Sequence, residues 1–221
     1  MKRREFLQKG LALGATLLPG FGLKASEWLP LSSVVADDDL VNQIWQAASD
    51  GHWNIVKQLL ELDPTLITVM GELPISNKAY ATLLHQATLK DNLEMVQFLV
   101  SKGADIHAED DSDWTPLHYA AEYCNIDTIE FLLSKGADIH AKEYVFGATP
   151  LYLAMWNKRW NKRGEIVKYL VSRGADVLAQ DGSGNIPLHW AANYCNIDVV
   201  EFLLSKRYGR YMGETTQALE K

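Results

Sequence analysis

Only two cysteines, Cys124 and Cys195, occur in the 221 residues. That is too few for a disulfide framework or a four-cysteine zinc site. Nowhere do about 18 apolar residues run together, so the chain encodes no ordinary membrane-spanning helix. Basic residues are the minority, 21 against 28 acidic, for a formal charge of −7. That balance argues against nucleic acid, whose phosphates reward a basic face. Catalytic signatures are missing as well: no His-Glu-x-x-His, no Gly-x-Ser-x-Gly and no Walker loop. Gly20-Phe21-Gly22-Leu23-Lys24-Ala25 matches a loose dinucleotide fingerprint but follows no strand, and Asp181-Gly182-Ser183-Gly184-Asn185 reads as a tight turn. No catalytic, cofactor-binding or metal-binding residue is therefore expected. Apolar residues are plentiful, at 48% of the chain, enough to bury a full core.

Residues 1–25 differ in character from the rest. Lys2-Arg3-Arg4 supply a charged start, Leu11 to Leu23 a short glycine-softened apolar run, and Leu23-Lys24-Ala25 a passable cleavage site before Ser26. This is the three-part layout of a secretory signal. Arg3-Arg4-Glu5-Phe6-Leu7-Gln8-Lys9 resembles the twin-arginine export motif of bacteria, carried here by Arg3, Arg4, Phe6 and Leu7. Lys2, Gln8 and Leu23 depart from the usual pattern. The expectation is an export signal over 1–25, a linker over 26–36 and a soluble periplasmic protein. A basic amphipathic N-terminus on a cytoplasmic protein is the other reading. Residues 1–25 hold five basic side chains and one acidic one, so the remainder carries 16 basic and 27 acidic groups, a net of −11.

Beyond the signal the chain repeats itself. Thr115-Pro116-Leu117-His118-Tyr119-Ala120-Ala121 returns as Pro187-Leu188-His189-Trp190-Ala191-Ala192, and Cys124-Asn125-Ile126-Asp127 as Cys195-Asn196-Ile197-Asp198. Glu130 to Lys135 likewise returns as Glu201 to Lys206. A period near 33 residues signals a stacked array whose product is a surface rather than a closed pocket. Within one unit, Thr115 can cap a helix and Pro116 suits its first turn. Leu117, Ala120 and Ala121 then form one apolar stripe, and Ile126, Ile129, Leu132 and Leu133 a second. Gly103, Gly136 and Gly174 stand where each second helix must end. Helices this short need stacking for their stability.

These units resemble ankyrin repeats, which are helix-turn-helix modules joined by loops or β-hairpin fingers. The resemblance implies an all-α solenoid of about five units, near 37–70, 77–109, 110–143, 144–180 and 181–207, within a domain over 37–212. A polar tail would follow over 213–221. Two places break the period. Asp63 to Leu83 is seven residues longer than the 13 from Gly103 to Pro116, and its Asp63-Pro64 and Gly71-Glu72-Leu73-Pro74 suggest a loop. Pro150 to Gly174 spans 24 residues against 20 from Pro116 to Gly136. The extra four come from a direct duplication, Trp156-Asn157-Lys158-Arg159 followed by Trp160-Asn161-Lys162-Arg163. Four residues are close to one helical turn, so the expectation is a lengthened, protruding helix. On it Trp156 and Trp160, Lys158 and Lys162, and Arg159 and Arg163 would be i, i+4 neighbours.

Of the six histidines, His85, His118 and His189 occupy the slot whose imidazole, by the resemblance, bonds backbone between repeats. His107 and His140 sit one unit apart in the fingers, and His52 in a Gly-His turn. A rival reading makes His107, His140 and the Glu109-Asp110-Asp111 run a metal or enzymatic site. Cys124 and Cys195 lie two repeat steps apart, roughly 20 Å, too far for a disulfide.

The resemblance places the binding surface on finger tips and on the exposed side of each first helix. Carried over by position, this selects Asp111, Ser112, Trp114, Glu122 and Tyr123 in unit three and Val145, Phe146, Trp156 and Asn157 in unit four. Ser183, Asn185, Asn193 and Tyr194 follow in unit five. The duplicated turn adds Arg159, Trp160 and Arg163, a basic and aromatic contact for an acidic partner; a neutral duplication is the alternative. Aromatics at such slots fit interface hot spots, or pack on a neighbouring unit. The function implied is a non-enzymatic adaptor binding a periplasmic protein, protecting or inhibiting an enzyme or toxin. A cytosolic or secreted effector binding a host protein is the alternative. A monomer is expected, with the last unit, where Tyr208, Tyr211 and Met212 follow, as the surface through which a dimer would form.

Overall fold

The computed structural model describes residues 37–73, 79–195 and 197–207. The export signal and linker (1–36) and the tail from 208 onward lie outside the described residues. The chain divides into two compact units, one up to Val69 and one from Met70 on.

In the first unit, helices α1 (Asp37–Asp50) and α2 (Trp53–Leu62) form one antiparallel pair. Ile44, Ala47 and Ala48 of α1 and Val56, Leu59 and Leu60 of α2 are buried, so each helix hides one stripe. The turn closes tightly: His52 N–H donates to Ala47 O at 2.7 Å. Asp63 then ends α2, and its carboxylate accepts from Thr65 N–H (3.1 Å) and the Thr65 hydroxyl (2.6 Å). That cap starts a 3-10 turn over Pro64–Thr68.

The second unit begins with strands β1 (Met70–Glu72) and β2 (Tyr80–Thr82), paired antiparallel with Gly71 opposite Ala81. The long connection expected as a loop is thus a 3-10 turn followed by a strand pair. Its physical reason is period-two burial: Gly71 and Ala81 face inward while Met70, Glu72 and Tyr80 face out.

Four helix pairs follow: α3 (Leu83–Leu89) with α4 (Leu93–Ser101), α5 (Pro116–Tyr123) with α6 (Ile126–Ser134), α7 (Pro150–Met155) with α8 (Arg163–Ser172), and α9 (Pro187–Tyr194) with α10 (197–207). First helices pack on first helices and second helices on second helices. Ala87, Ala120, Ala154 and Ala191, all fully buried, permit the close approach of the first-helix layer. Gly103, Gly136 and Gly174 end the second helices with φ of +93°, +91° and +102°, the left-handed geometry anticipated for them.

At His85 and His118 the histidine slot works as anticipated, and the geometry assigns its proton. Thr115 N–H donates to His118 Nδ1 at 3.0 Å, which leaves the proton on Nε2. His118 Nε2 then donates across to the next unit, to Ala141 O (3.1 Å) and Ala148 O (3.3 Å). His85 does the same, accepting from Thr82 N–H (3.2 Å) and donating to Trp114 O (2.9 Å). Burial drives the His85 pKa down to about 4 and lowers that of His118, so both rings are neutral linkers.

The duplicated segment departs from expectation. Helix α7 is six residues long against eight in α5, so nothing lengthens or protrudes. The chain leaves the helix at Trp156, and the extra residues form the inter-helix turn, including a 3-10 turn over Trp160–Lys162. Residues 156 and 160 therefore do not share one helix, nor do the paired lysines and arginines. The cause is a better offer from the preceding unit. The last carbonyls of a helix lack intrahelical partners, and those of α5 are claimed by this segment. Asn157 Nδ2 donates to Ala121 O (2.7 Å) and Cys124 O (3.2 Å), Lys158 N–H to Glu122 O (2.7 Å), and Arg159 Nε to Tyr123 O (3.3 Å). Cations near a helix C-terminus also complement its dipole.

Candidate functional site: an aromatic groove across three units

Each finger of units three to five is folded around one buried carboxylate. Asp110 accepts from Ser112 N–H (2.8 Å), Trp114 N–H (2.9 Å) and the Tyr119 hydroxyl (2.6 Å). Burial and this bond push the Tyr119 hydroxyl far above its ordinary pKa, so it remains a donor. Glu143 accepts from the N–H groups of Val145 (2.7 Å), Phe146 (2.6 Å) and Ala148 (2.9 Å). Asp181 accepts from Ser183 and Asn185 N–H (2.9 and 2.8 Å) and from Trp190 Nε1 (2.9 Å). Burial alone would raise the Asp181 pKa, but the donors from Asn185, Trp190 and Ser183 prevail and hold it below the usual carboxylate value.

The fingers are then laced to one another. Tyr144 N–H donates to Ser112 O at 3.0 Å, and Gly182 N–H to Phe146 O at 2.6 Å. Gly147 takes φ +61°, and a Cβ there would lie 3.1 Å from Gly182 N, so this crossing requires glycine.

Between the fingers and the first helices lies an open groove of about 340 Å³. Its floor and walls are aromatic: Trp114, Tyr119, Tyr123, Phe146, Trp156 and Trp190. The rings hold one another in place. Trp156 contacts Trp190 at 4.6 Å between centroids and meets Phe146 and Tyr194 edge-to-face at 6.5 and 5.4 Å. Tyr123 stacks on Tyr119 at 6.3 Å, and burial with the adjacent Glu122 pushes its pKa up to about 12. At the rim Tyr144, Val145 and Phe146 are 79%, 61% and 51% exposed, a large apolar tip.

Seven of the residues selected from sequence converge on this groove: Ser112, Trp114, Glu122, Tyr123, Val145, Phe146 and Trp156. Trp156 therefore both lines the groove and packs on the next unit. Asp111, Ser183 and Asn193 are exposed, and Tyr194 joins the aromatic cluster while remaining 43% exposed. Asn185 is half-buried, with its amide on Asp181.

The duplicated segment is a correction. Asn157 is fully buried and caps α5, so it offers nothing to a partner. Glu122 is also buried, and belongs to the wall rather than the surface. Nor do the cations of this segment form a basic patch. Lys158 pairs with Glu122, Arg159 with Asp91 and Lys162 with Glu165, while Arg163 donates to Asn157 O and Tyr194 O. Arg159 completes a larger knot. Asp91, with φ +50°, also accepts from Asn125 Nδ2 (2.8 Å) and the Thr128 hydroxyl (2.9 Å), tying units two, three and four together. The Trp160 side chain lies outside the described residues.

Residues missed from sequence include Trp190, Leu153, Tyr144 and the finger carboxylates Glu143 and Asp181, while Asp110 was named only for a different role. The carboxylates carry a signal: Asp110, Glu143 and Asp181 all stand two residues after an alanine, in Ala108-Glu109-Asp110, Ala141-Lys142-Glu143 and Ala179-Gln180-Asp181. Asp110 was grouped with His107 and His140 in the metal reading, yet its oxygens are occupied by the finger and both imidazoles are exposed. Cys124 is buried, its thiol donating to Thr88 O at 2.9 Å, and burial raises its pKa.

Comparison with known proteins agrees with this architecture. A family model for ankyrin repeats in three copies matches residues 44–143 and 142–215, more than half of the chain. The chain belongs to the ankyrin-repeat family. A fowlpox virus protein (strain NVSL) described as an ankyrin repeat protein is 37% identical over 65 residues. That match takes in 29% of this chain and 12% of the viral protein, so the chain spans only a small part of that relative. Ankyrin repeats are protein–protein interaction modules, generally non-enzymatic scaffolds. Among the described residues no helix of this ankyrin-repeat chain is long and apolar enough to cross a membrane.

Proposed function

We propose that this chain is an exported, non-enzymatic adaptor that grips a periplasmic partner protein in its aromatic groove. The observation that supports this reading is the groove itself. Six aromatic rings from three successive units line one open depression, and hydrogen bonds between fingers hold its walls. Aromatic side chains are the usual anchors of protein interfaces. Walls already tied in place reduce the ordering cost of binding. The role class that fits is protection or inhibition of an enzyme or toxin. Export is supported by the three-part layout of residues 1–25 and by Arg3-Arg4.

A pull-down from periplasmic extract, with the chain starting at Ser26 as bait, tests the surface. The expected result is a partner retained by the wild type and lost by Trp156→Ala combined with Tyr123→Ala. Unchanged capture by the double variant would move the site elsewhere. N-terminal sequencing of the protein recovered from cells tests export: a start near Ser26 is expected, and a retained Met1 overturns it.

A further inference from the structure

The groove already holds a cation. Lys158, in the turn after α7, places its ammonium 2.9 Å from a Glu122 oxygen and 5.6 Å from the centre of the Tyr123 ring. The two partners differ in kind. The Glu122 side chain is 7% exposed and the Lys158 side chain 61%, so the carboxylate is wall and the ammonium faces solvent. An ion pair with one exposed partner holds weakly. The second carboxylate of the groove, Glu143, spends its oxygens on finger N–H groups. Two carboxylates against one ammonium leave the lining with one net negative charge.

We propose that the groove takes an arginine side chain from an exposed segment of the partner protein, which enters beside Glu122 and Tyr123 where Lys158 now sits. This rests on the adaptor reading above and specifies the chemistry of the contacting segment. The alternatives fail on charge. An apolar side chain displacing Lys158 strands the buried Glu122 carboxylate without a counterion. An acidic side chain adds to a lining that is already negative. A guanidinium satisfies both demands of the slot: it lies flat on aromatic faces, and its planar fork pairs with a carboxylate through two parallel N–H bonds, a geometry an ammonium lacks. The wider protein favours the same sign, with a formal charge of −7. Lys158 is then an internal placeholder that keeps Glu122 paired while the groove is empty.

Three synthetic peptides of equal length test this, one bearing arginine, one neutral and apolar, and one bearing glutamate, each followed by the intrinsic tryptophan fluorescence of the full chain. The arginine peptide is expected to bind most tightly and to weaken with added salt. Lys158→Met keeps the aliphatic stem and removes the competitor, so it should tighten the arginine peptide roughly fivefold. Glu122→Gln should weaken it by about the same factor. Circular dichroism checks both variants, and if Glu122→Gln does not fold, Lys158→Met decides alone. Weaker or unchanged binding of the arginine peptide by Lys158→Met overturns the proposal, as does equal binding of the glutamate peptide. Preference for the apolar peptide overturns it too, while leaving the groove as the docking surface. No binding by any peptide counts against both readings.

Discussion

Units three and five carry nearly the same sequence and live in different surroundings. Pro116-Leu117-His118 and Pro187-Leu188-His189 both open a helix, and the first-turn geometry is copied: the N–H of Thr115 and that of Ile186 reach the following histidine Nδ1 at 3.0 and 3.1 Å. Ile186 lacks the hydroxyl that Thr115 turns toward the ring, yet the backbone bond survives. Burial is not copied. Leu117 and His118 are fully buried, whereas Leu188 is half-buried and His189 exposed. Cys124 is buried and Cys195 only partly; Ile126 is half-buried and its counterpart Ile197 66% exposed. Helix α5 packs on two first helices, α3 and α7, while the first-helix neighbour of α9 among the described residues is α7. In a stacked array, local sequence sets the conformation of a unit and its neighbours set the worth of each side chain.

The sharpest way to break that comparison is to cut the same leucine in both units. Leu117→Ala should cost about 4 kcal/mol, because its site is closed on every side. Leu188→Ala should cost about 1 kcal/mol, since water already reaches it. Urea denaturation of the two variants measures the difference, and equal losses would contradict the role assigned to stack position.

Acid should act next, through the interior histidines. His85 is held neutral by burial at a pKa of about 4, against its ordinary 6.5. The unfolded chain therefore binds a proton that the folded one refuses. Stability from this group is complete above pH 6.5 and is lost as the pH falls toward about 4. The loss is on the order of 3 kcal/mol, with His118 adding in the same direction. Urea midpoints measured from pH 7 down to pH 4 should fall accordingly, and His85→Gln should flatten the curve.

Asp91 distinguishes the tied middle of the array from its end. Asp91→Ala removes the acceptor shared by Asn125, Thr128 and Arg159, and about 2 kcal/mol should go with it. Arg159→Ala removes only the exposed arm of the knot and should cost at most about 1 kcal/mol. A thermal melt of each variant separates the two, and equal shifts would deny that Asp91 is the centre.

The smallest perturbation is chemical. A thiol reagent should label Cys195 in the folded protein and reach Cys124 only in denaturant, because Cys124 is buried and bonded to Thr88 O. Equal labelling rates under native conditions would contradict the burial difference between the two units.

Much of this molecule is legible in its sequence. The Thr-Pro-Leu-His register predicted the bonds of His85 and His118, and the three glycines predicted where helices end; the aromatic positions of units three and four were named from sequence, but that they converge on one groove was not. The two failures have different causes. The doubled Trp-Asn-Lys-Arg looked like an added helical turn because four residues match the local period. Its real partners are the free carbonyls of α5, some 36 residues upstream, which no local period reveals. The strand pair after Val69 was hidden by its brevity, since each strand is only three residues long and leaves too little alternation to stand out among turn-forming residues.

The sequence by itself determined the repeat, the caps, the stops and which rings are available, because those depend on dihedral preference and on contacts a few residues apart. Tertiary structure alone decided which copy of a motif is buried, that Asn157 is a cap and not a contact, and that Lys158 sits over Tyr123 beside Glu122. These depend on which donors and acceptors a neighbouring unit leaves unsatisfied.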